Sequence, residues 1–324
     1  MATWTRFHHA SVLALTVVPA SRKRQSLREA ITDNVHDGDS VALGLALESG
    51  IPFAAVHEMI RQGRKDLTLI GPISDMAFDQ MIAAGVVARI IAAWVGNVAG
   101  GSGYGFRRAV EDGVPRSIEV EDHSNFTVGL ALTAAAMGLP YLPTRTGIGG
   151  DIVKNHSRIR PIDDPFGGAP LLAVGALRPD VAIIHVQRAD EDGNAHLWGN
   201  LGLTVEAAYA ARRTILVCEE IVPKDVIRSD PNRTQIPGFL TTAVVEEPGG
   251  ALPSSLQGYW RRDFEPFLEY HRVSRTREGV EPWLRRWVLE IPDRATYLDR
   301  LGESALERLR VRDQRLAAPA NFAP

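Results

Sequence analysis

The stretch Val41-Ala42-Leu43-Gly44-Leu45 decides the fold class of this chain, and a second run, Val181-Ala182-Ile183-Ile184-His185-Val186, repeats its character. Short apolar runs without polar alternation are typical of strands that are buried on both faces of a parallel sheet. Similar runs, separated by segments with helical periodicity, occur at 67–70, 87–94 and 215–218. Strands that alternate with helices imply right-handed crossovers. We therefore predict an α/β protein with an open, mostly parallel sheet flanked by helices.

The boundaries of the predicted domain follow from local signals. Ser26-Leu27-Arg28-Glu29 is a capping box, in which a hydroxyl and a carboxylate satisfy the first backbone donors of a helix. We place an α/β domain at 26–247 and an N-terminal extension at 1–25, because the basic cluster Arg22-Lys23-Arg24 follows an apolar stretch instead of preceding it, unlike a signal peptide. The strand pattern fades after Glu247, which predicts a C-terminal arm at 248–324 packed on the domain or on a partner.

Composition excludes several classes of function. The chain has 324 residues, 45% of them hydrophobic, and a formal net charge of -3, so it lacks the basic field that attracts nucleic acid. It has no run of about 18 apolar residues, which predicts no membrane-spanning helix. The single cysteine, Cys218, excludes an intrachain disulfide and a thiolate metal site. These properties predict a protein of the reducing cytoplasm.

Two glycine-rich segments are candidate ligand loops. The first follows a predicted strand and contains Asn97, Gly100, Gly101, Ser102 and Gly103. Glycines allow backbone amides to approach an anion or an acyl oxygen closely, and loops after strands are the usual ligand sites of open α/β sheets. The second segment contains Gly147, Gly149 and Gly150. Plain turns are the alternative for both, and the first segment is not a dinucleotide fingerprint because Phe106 stands where the third glycine belongs.

The segment Glu119-Val120-Glu121-Asp122-His123-Ser124 concentrates titratable groups at the end of a strand predicted at 117–120. Such clusters can tune groups for proton transfer, which makes His123, with Asp122, the best acid/base candidate. The alternative is that Ser124 caps the next helix and Asp122 adds favourable charge at its start. Glu219-Glu220 is a second candidate carboxylate pair, with a charged strand end as its alternative. His185 and His196 lack a metal-ligand spacing, and we predict no metal site.

Several motifs in a fixed order resemble a known family. They include Asp180-Val181-Ala182-Ile183-Ile184-His185-Val186-Gln187, Cys218-Glu219-Glu220-Ile221-Val222 and Arg228-Ser229-Asp230-Pro231. Together they are similar to the alpha subunits of class I CoA-transferases of the glutaconate CoA-transferase type, from Ser26 to about Leu309. The resemblance implies a fold akin to ribose-5-phosphate isomerase. It also implies a hetero-oligomer built of alpha-beta pairs, in which the partner is a separate beta-type subunit.

In this family the beta subunit carries a glutamate that attacks the acyl-CoA thioester, and the reaction passes through an anhydride and a glutamyl-CoA thioester. Here the corresponding strand, 67–70, runs into Gly71-Pro72-Ile73-Ser74, which holds no glutamate. The resemblance therefore implies an alpha subunit of a CoA-transferase whose partner supplies the nucleophile. Its substrates are an acyl-CoA and a carboxylic acid, with no permanently bound cofactor. The residues expected to face the shared site are Gly44, Ser74, Asn97, Gly100 to Gly103 and Gly147 to Gly150.

Two other functions stay open at the level of sequence. Some relatives of this subunit type hydrolyse CoA thioesters with an acidic residue that falls near His123 here, and a histidine could also activate water. The third possibility is a noncatalytic scaffold that stabilises a catalytic partner. The acid itself is not determined by the sequence, because its pocket is built from loops.

Overall fold

The computed structural model describes residues 23–154 and 156–312. The strands are β1 (Ser40–Ala42), β2 (Leu67–Gly71), β3 (Val87–Ala92), β4 (Gly96–Asn97), β5 (Gly101–Ser102), β6 (Glu119–Asp122), β7 (Tyr141–Thr144), β8 (Ile159–Ile162), β9 (Leu171–Gly175), β10 (Val181–Ala189), β11 (Ala195–His196), β12 (Arg213–Ile221), β13 (Thr234–Ile236) and β14 (Ala243–Glu246). The α-helices are α1 (Leu27–Asn34), α2 (Phe53–Arg61), α3 (Asp75–Ala83), α4 (Tyr104–Glu111), α5 (Asn125–Ala136), α6 (Thr204–Ala210), α7 (Lys224–Arg228), α8 (Phe264–Val273), α9 (Arg277–Leu284), α10 (Arg294–Leu301) and α11 (Glu303–Leu309).

The centre of the molecule is an open parallel sheet, which confirms the predicted fold class. Its parallel strands follow the order β14-β12-β10-β1-β2-β3-β6, and β11 and β13 extend the sheet with antiparallel pairs beyond β10. β2, β3 and β6 lie to one side of β1, and β10, β12 and β14 lie to the other. The order therefore reverses between β1 and β10, which is where open α/β sheets usually bind ligands.

Local sequence explains where the first elements begin and end. Ser26 and Glu29 form the predicted capping box at the start of α1. The backbone before it is also ordered, because Gln25 donates to the carbonyl of Val244. β1 is shorter than the apolar run that predicted it, since Gly44 takes a left-handed conformation with φ of +63° and turns the chain out of the sheet.

Helices cover both faces of the sheet. One face packs against α1, α2 and α3, and the other packs against α5 and α6. The C-terminal helices complete the first face, because Phe267 and Tyr270 of α8 are fully buried in the same core and Phe267 meets Phe53 edge to face at 6.1 Å. Burying one such aromatic side chain stabilises the fold by about 2 to 3 kcal/mol. The domain boundary at 247 stays a prediction.

Three features differ from the sequence-based expectation or were absent from it. β6 lies two residues later than the predicted strand at 117–120. Its residues, Glu119 to Asp122, pair in parallel with Arg89 to Ala92 of β3. The first glycine-rich segment forms a hairpin of β4 and β5. A separate three-stranded sheet, in the order β7-β9-β8, stands beside α5. Within the described ranges no helix has the length and apolar character needed to cross a bilayer.

Candidate functional site

The residues singled out from the sequence lie at one edge of the sheet. Gly44 follows β1, Ser74 follows β2, the glycine-rich hairpin follows β3, and His123 follows β6. Because these strands are parallel neighbours, their carboxyl ends meet at the same edge. Two concave regions lie near this edge.

The first region is a narrow cleft at the point where the strand order reverses, and we call it the switch-point cleft. Its walls come from the loop after β1 and from β10. The side chains and backbone that line it include Gly44, Ser49, His185, Gln187, Trp198 and Asn200. The walls carry amide, hydroxyl and indole groups and no carboxylate, which suits an uncharged ligand chain with hydrogen-bonding groups. The side chain of His185 itself has no exposed surface.

His185 in this cleft is held by Glu219 of the neighbouring strand. Its Nε2 lies 2.9 Å from Glu219 Oε1, and Oε2 accepts from the backbone of Gly249 and from the indole of Trp260, both at 2.8 Å. Burial alone would raise the pKa of Glu219, but the hydrogen bonds and charge of His185 outweigh it and lower the pKa. Glu219 is therefore an ionised structural anchor, and Glu220 binds the hydroxyl of Tyr259 instead of pairing with it.

Ser74 occupies a strained and closed position. Both Ser74 and Asp75 have left-handed backbones, with φ of 58° and 47°, which is unusual for residues other than glycine. The Ser74 hydroxyl is fully buried and donates to the carbonyl of Leu43 at 2.9 Å. A Cβ on Gly44 would stand 2.6 Å from that hydroxyl, so glycine is required there. Ser74 thus fixes the loop after β1 from behind the cleft.

The glycine-rich hairpin is clamped at both ends by α3. Asp75 Oδ1 accepts from the amide of Val98 at 3.0 Å, and Asp79 Oδ1 accepts from the amide of Phe106 at 2.7 Å. Asp79 Oδ2 also accepts from the hydroxyl of Tyr270 at 2.8 Å. Burial raises the pKa of both carboxyls. The hairpin is therefore a fixed wall, because much of its backbone is committed to internal acceptors.

The predicted residues of this hairpin lie between α3 and α8. Asn97 is buried and donates to the carbonyl of Phe267 at 2.6 Å. A Cβ on Gly100 would overlap the ring of His271, and Gly101 has φ of +121°. Gly103 is the N-cap residue of α4, and Ser102 between them is exposed. The glycines are therefore explained by close packing and turn geometry, whether or not a ligand approaches them.

The second concave region, the edge pocket, opens widely beside β6, with a volume of about 450 Å³. It lies between β6 and the loop that enters β8. Its lining consists of Arg89, Val120, Glu121, Asp122, Asp151, Ile152, His156 and Ser157. Gly147, Gly149 and Gly150 directly precede Asp151 and are exposed. The structure thus brings the end of the second glycine-rich segment to the same pocket as Asp122.

Glu121 is the centre of a charged network at the wall of this pocket. Its carboxylate accepts from Arg89, from Arg158 Nε at 2.8 Å and from His123 Nε2 at 2.9 Å. Burial would raise the pKa of Glu121, but the hydrogen bonds from His123 and Arg158 outweigh it and lower the pKa to about 2. Glu121 is ionised at neutral pH and is a weak base.

The imidazole that faces the pocket belongs to His156, not to His123. The side chain of His123 has no exposed surface, and its second nitrogen lies 3.0 Å from the hydroxyl of Thr127. His156 packs on it with ring centroids 4.5 Å apart, accepts from the amide of Arg158 and donates to the carbonyl of Asp122. Burial, and next the charge of His123, lower the pKa of His156, so its ring is neutral. Ser124 caps α5, as the alternative interpretation expected.

Glu121, His123 and His156 also have the geometry of a metal site, since one ligand atom from each lies within 4.8 Å of the others. A cation there would displace the hydrogen bond between His123 and Glu121 and would face the guanidinium groups of Arg89 and Arg158. The donor set therefore fits a hydrogen-bonded network better than a cation. The absence of a metal site stays a prediction.

The chain is similar to enzymes that handle coenzyme A. A family model described as coenzyme A transferase matches residues 24–247. A 3-oxoadipate CoA-transferase subunit of Pseudomonas knackmussii is 39% identical over 86% of this chain and 98% of that protein. The crystal structure of glutaconate coenzyme A-transferase from Acidaminococcus fermentans superposes with a TM-score of 0.84 and 34% identity, covering 89% of this chain and 96% of that one.

A more distant relative has another activity. One of the subunits of the cholesterol ring-cleaving hydrolase of Mycobacterium tuberculosis is 26% identical over 82% of this chain and 93% of that protein. The family match, the long alignment with the 3-oxoadipate enzyme and the common fold agree with one another. This chain belongs to the coenzyme A transferase family.

Proposed function

We propose that this chain is the alpha-type subunit of a heteromeric acyl-CoA:carboxylate CoA-transferase, whose beta-type partner supplies the nucleophilic glutamate. The observation that carries the proposal is the loop after β2. Gly71-Pro72-Ile73-Ser74 contains no carboxylate, and the nearest acids in the chain, Asp75 and Asp79, are buried and bound to the hairpin. This loop therefore has a structural role, and the nucleophile must come from elsewhere.

The chemistry assigned to the partner needs only a carboxylate and a shaped pocket. A carboxylate oxygen attacks the thioester carbonyl, the C–S bond breaks, and the CoA thiolate leaves. The thiolate then attacks the glutamyl carbonyl of the resulting anhydride and releases the first acid as a carboxylate. The second acid reverses these steps and takes CoA. Coenzyme A is thus a substrate, and the proposal includes no permanently bound cofactor.

In this proposal the chain supplies the walls of the site. The switch-point cleft, beside Gly44, accepts the uncharged part of the thioester, since its walls offer neutral hydrogen-bonding groups. The hairpin from Asn97 to Gly103 and the segment from Gly147 to Gly150 border the space that the partner closes. We further propose that the enzyme acts in the cytoplasm, because its only cysteine, Cys218, is a buried free thiol.

Hydrolysis is the second candidate, and the charge network argues against it. A hydrolase needs a base that accepts a proton from water near neutral pH. The pKa of Glu121 is about 2, and His123 has no exposed side-chain surface. Glu121 is therefore too weak a base for the task, His123 is out of reach of water, and both ring nitrogens of His156 are engaged by the backbone of Arg158 and Asp122.

The test is reconstitution of this chain with its beta-type partner. We expect the chain alone to transfer CoA between acids at under 1% of the rate of the pair. Incubation of the pair with acyl-CoA and no acceptor should leave CoA attached to the partner, seen by intact mass, with this chain unmodified. Full transfer by the chain alone, or an adduct on this chain, would contradict the proposal.

Two further outcomes separate the alternatives. Release of free CoA without transfer to an added acid would support the hydrolase. Full activity of the partner alone, once it is stabilised, would support the scaffold.

A further inference from the structure

Arg262, in the predicted C-terminal arm, joins two segments that border the candidate site. Its Nη1 donates to Glu48 Oε2 and its Nη2 donates to Asp75 Oδ2, both at 2.6 Å. Only 8% of its side chain is exposed, and its guanidinium stacks on the ring of Phe267 at 4.0 Å from the centroid. The planar fork of an arginine can hold two carboxylates at once in this way, with little freedom for either.

The two carboxylates belong to different walls of the site. Glu48 lies on the loop after β1, directly before Ser49, which lines the switch-point cleft. Asp75 is the first residue of α3, and its other oxygen accepts from the amide of Val98 in the glycine-rich hairpin at 3.0 Å. Arg262 therefore connects the loop of the cleft to the hairpin through one side chain.

Other residues of the predicted arm bind the same two walls. The hydroxyl of Ser254 donates to the carbonyl of Glu48 at 2.6 Å. The carbonyl of Phe267 accepts from the side chain of Asn97 in the hairpin, also at 2.6 Å. These two contacts each hold one wall, and the ion pairs of Arg262 set the separation between the walls.

The two ion pairs of Arg262 differ in what they contribute to stability. The side chain of Asp75 has no exposed surface, and the charge of Arg262 opposes the rise that burial causes in the pKa of its carboxyl. Removing the cation would leave a buried carboxylate uncompensated. The side chain of Glu48 is 49% exposed, and an ion pair to such a group contributes little to stability. The contact with Glu48 thus restricts the loop after β1 without being needed for folding.

We propose that Arg262 is a positioning residue of the transfer reaction, which holds the loop after β1 and the glycine-rich hairpin at a fixed separation around the acyl group. This inference rests on the proposed CoA-transferase function. Fixed walls keep the thioester carbonyl in line with the attacking carboxylate of the partner. With looser walls the substrate still binds but adopts the reactive orientation less often, so turnover falls more than affinity. Arg262 itself touches no reacting atom.

R262K is the decisive variant, because a lysine keeps a positive charge beside Asp75 but has no planar fork with which to hold both acids. We expect the kcat of the reconstituted pair to fall about tenfold, while the KM for acyl-CoA changes less than about threefold. The unfolding midpoint of the chain should fall by no more than about 2 °C. Rates are normalised to the folded fraction, so that the kcat reports the site and not the stability.

E48Q and R61K complete the test. E48Q removes the exposed end of the bridge, so it should lower kcat by about threefold to fivefold and leave the unfolding midpoint unchanged. R61K is the matched control, because Arg61 is also largely buried and donates to Glu58 through two nitrogens, but it lies outside the two walls. It should keep the wild-type kcat. An equal fall in kcat for R61K, or wild-type kcat in both R262K and E48Q, overturns the proposal.

Hydrogen exchange tests the bridge without any measurement of activity. In the full chain, R262K should accelerate exchange of the amides of 45–50 and 97–103 about tenfold, whereas the amides of α5 should keep their wild-type rates. Unchanged exchange in both segments would also overturn the proposal. A wild-type pair that transfers no CoA would remove the proposed function instead, and the exchange rates would still show whether Arg262 holds the two walls.

Discussion

At the scale of single residues, Glu121 shows how a carboxylate at a candidate site can serve the architecture. It joins β6 to the loop before β8 through Arg158, and to β3 through Arg89. Removing one member of a buried charge network leaves the others without a counter-charge, which costs more than the network contributes to stability. Glu121 is therefore expected to matter for folding at neutral pH.

The first prediction concerns E121Q. The folded pKa of Glu121 is about 2 and its ordinary value is 4.5, so its contribution is complete above pH 4.5 and is lost as the pH falls through about 2. E121Q should destabilise the chain by about 2 to 3 kcal/mol at pH 7, and the difference from the wild type should shrink on acidification. Denaturant unfolding of both proteins at several pH values measures this difference in the free energy of unfolding. E119Q, on the same strand but exposed, should change stability by less than about 0.5 kcal/mol.

The second prediction separates His123 from His156. H123A removes a buried imidazole that bonds Glu121 and Thr127, so it should cost about 2 to 3 kcal/mol of stability while the folded pair keeps its kcat within about threefold. H156A removes a ring that forms part of the pocket wall, and we expect the larger loss of turnover from it, about tenfold, because the substrate is then positioned less well. Steady-state rates, normalised to the folded fraction, decide the matter. A large fall in kcat for H123A with unchanged stability would restore it as the proton-transfer group.

This contrast also marks what the sequence could predict of the site. Asp122 and His123 stood out because they are adjacent in a charged segment. His156 and Arg158 come from a loop more than thirty residues later and reach the cluster through the small sheet of β7, β9 and β8, which packs beside α5. No local pattern indicates such a meeting. The burial of Ser74 was unpredictable for the same reason, because its hydroxyl donates to the carbonyl of Leu43, which lies far from it in the sequence.

At the scale of elements, α3 organises the hairpin that follows β3. Its two aspartates lie one helical turn apart, so that one carboxylate reaches the amide of Val98 and the other reaches that of Phe106. Asp79 substitutes for the missing side-chain cap of α4, whose N-cap residue is Gly103. The hairpin therefore depends on a helix that precedes it in the chain.

The third prediction tests this clamp with D79A and D79N. D79A leaves the hydroxyl of Tyr270 and the amide of Phe106 without an acceptor, and it should cost about 2 to 4 kcal/mol. D79N keeps one acceptor and removes a buried carboxyl whose pKa is raised by burial, so its cost should be under about 1.5 kcal/mol. Hydrogen exchange of the hairpin amides should accelerate in D79A. Equal losses in the two variants would show that shape, not hydrogen bonding, fixes the hairpin.

Elements with strong local signals were predictable, and those set by tertiary pairing were not. The capping box gave the start of α1, and the apolar run gave β10. β6 is polar because it is an edge strand beside the pocket, so its bounds were misplaced by two residues. β7 and β8 each contain a proline and are partly exposed, which leaves them no apolar signature.

At the scale of the whole molecule, several exposed apolar residues lie on the segments that form and follow the edge pocket. Val120 and Ile152 line it, Phe126 and Ile148 come from segments adjoining these residues in the chain, and Phe166 is 95% exposed on the loop between β8 and β9. Exposed apolar residues of this kind are candidates for a protein interface. The proposed partner has to close this pocket from outside, and these residues are the surface we expect it to cover.

The fourth prediction follows for association of the pair. F166D should weaken binding of the partner by about tenfold or more and leave the stability of the isolated chain unchanged, because the ring is almost wholly exposed and has little packing to lose. Y209D, on an exposed face of α6, is the control and should bind normally. Titration calorimetry or interferometry gives the affinities. Unchanged affinity of F166D would place the interface elsewhere.

The open side of β6 has a consequence for how this protein is made in the cell. The strand pairs with β3 on one side, and its other side is joined to no strand within the described ranges. An unpaired edge of this kind is a template for strand addition by other copies, and only a few charges discourage it. A chain synthesised ahead of its partner is exposed to self-association for as long as it waits. Matched synthesis of the two subunits from one transcript would therefore limit aggregation, and co-expression is expected to raise the yield of this chain.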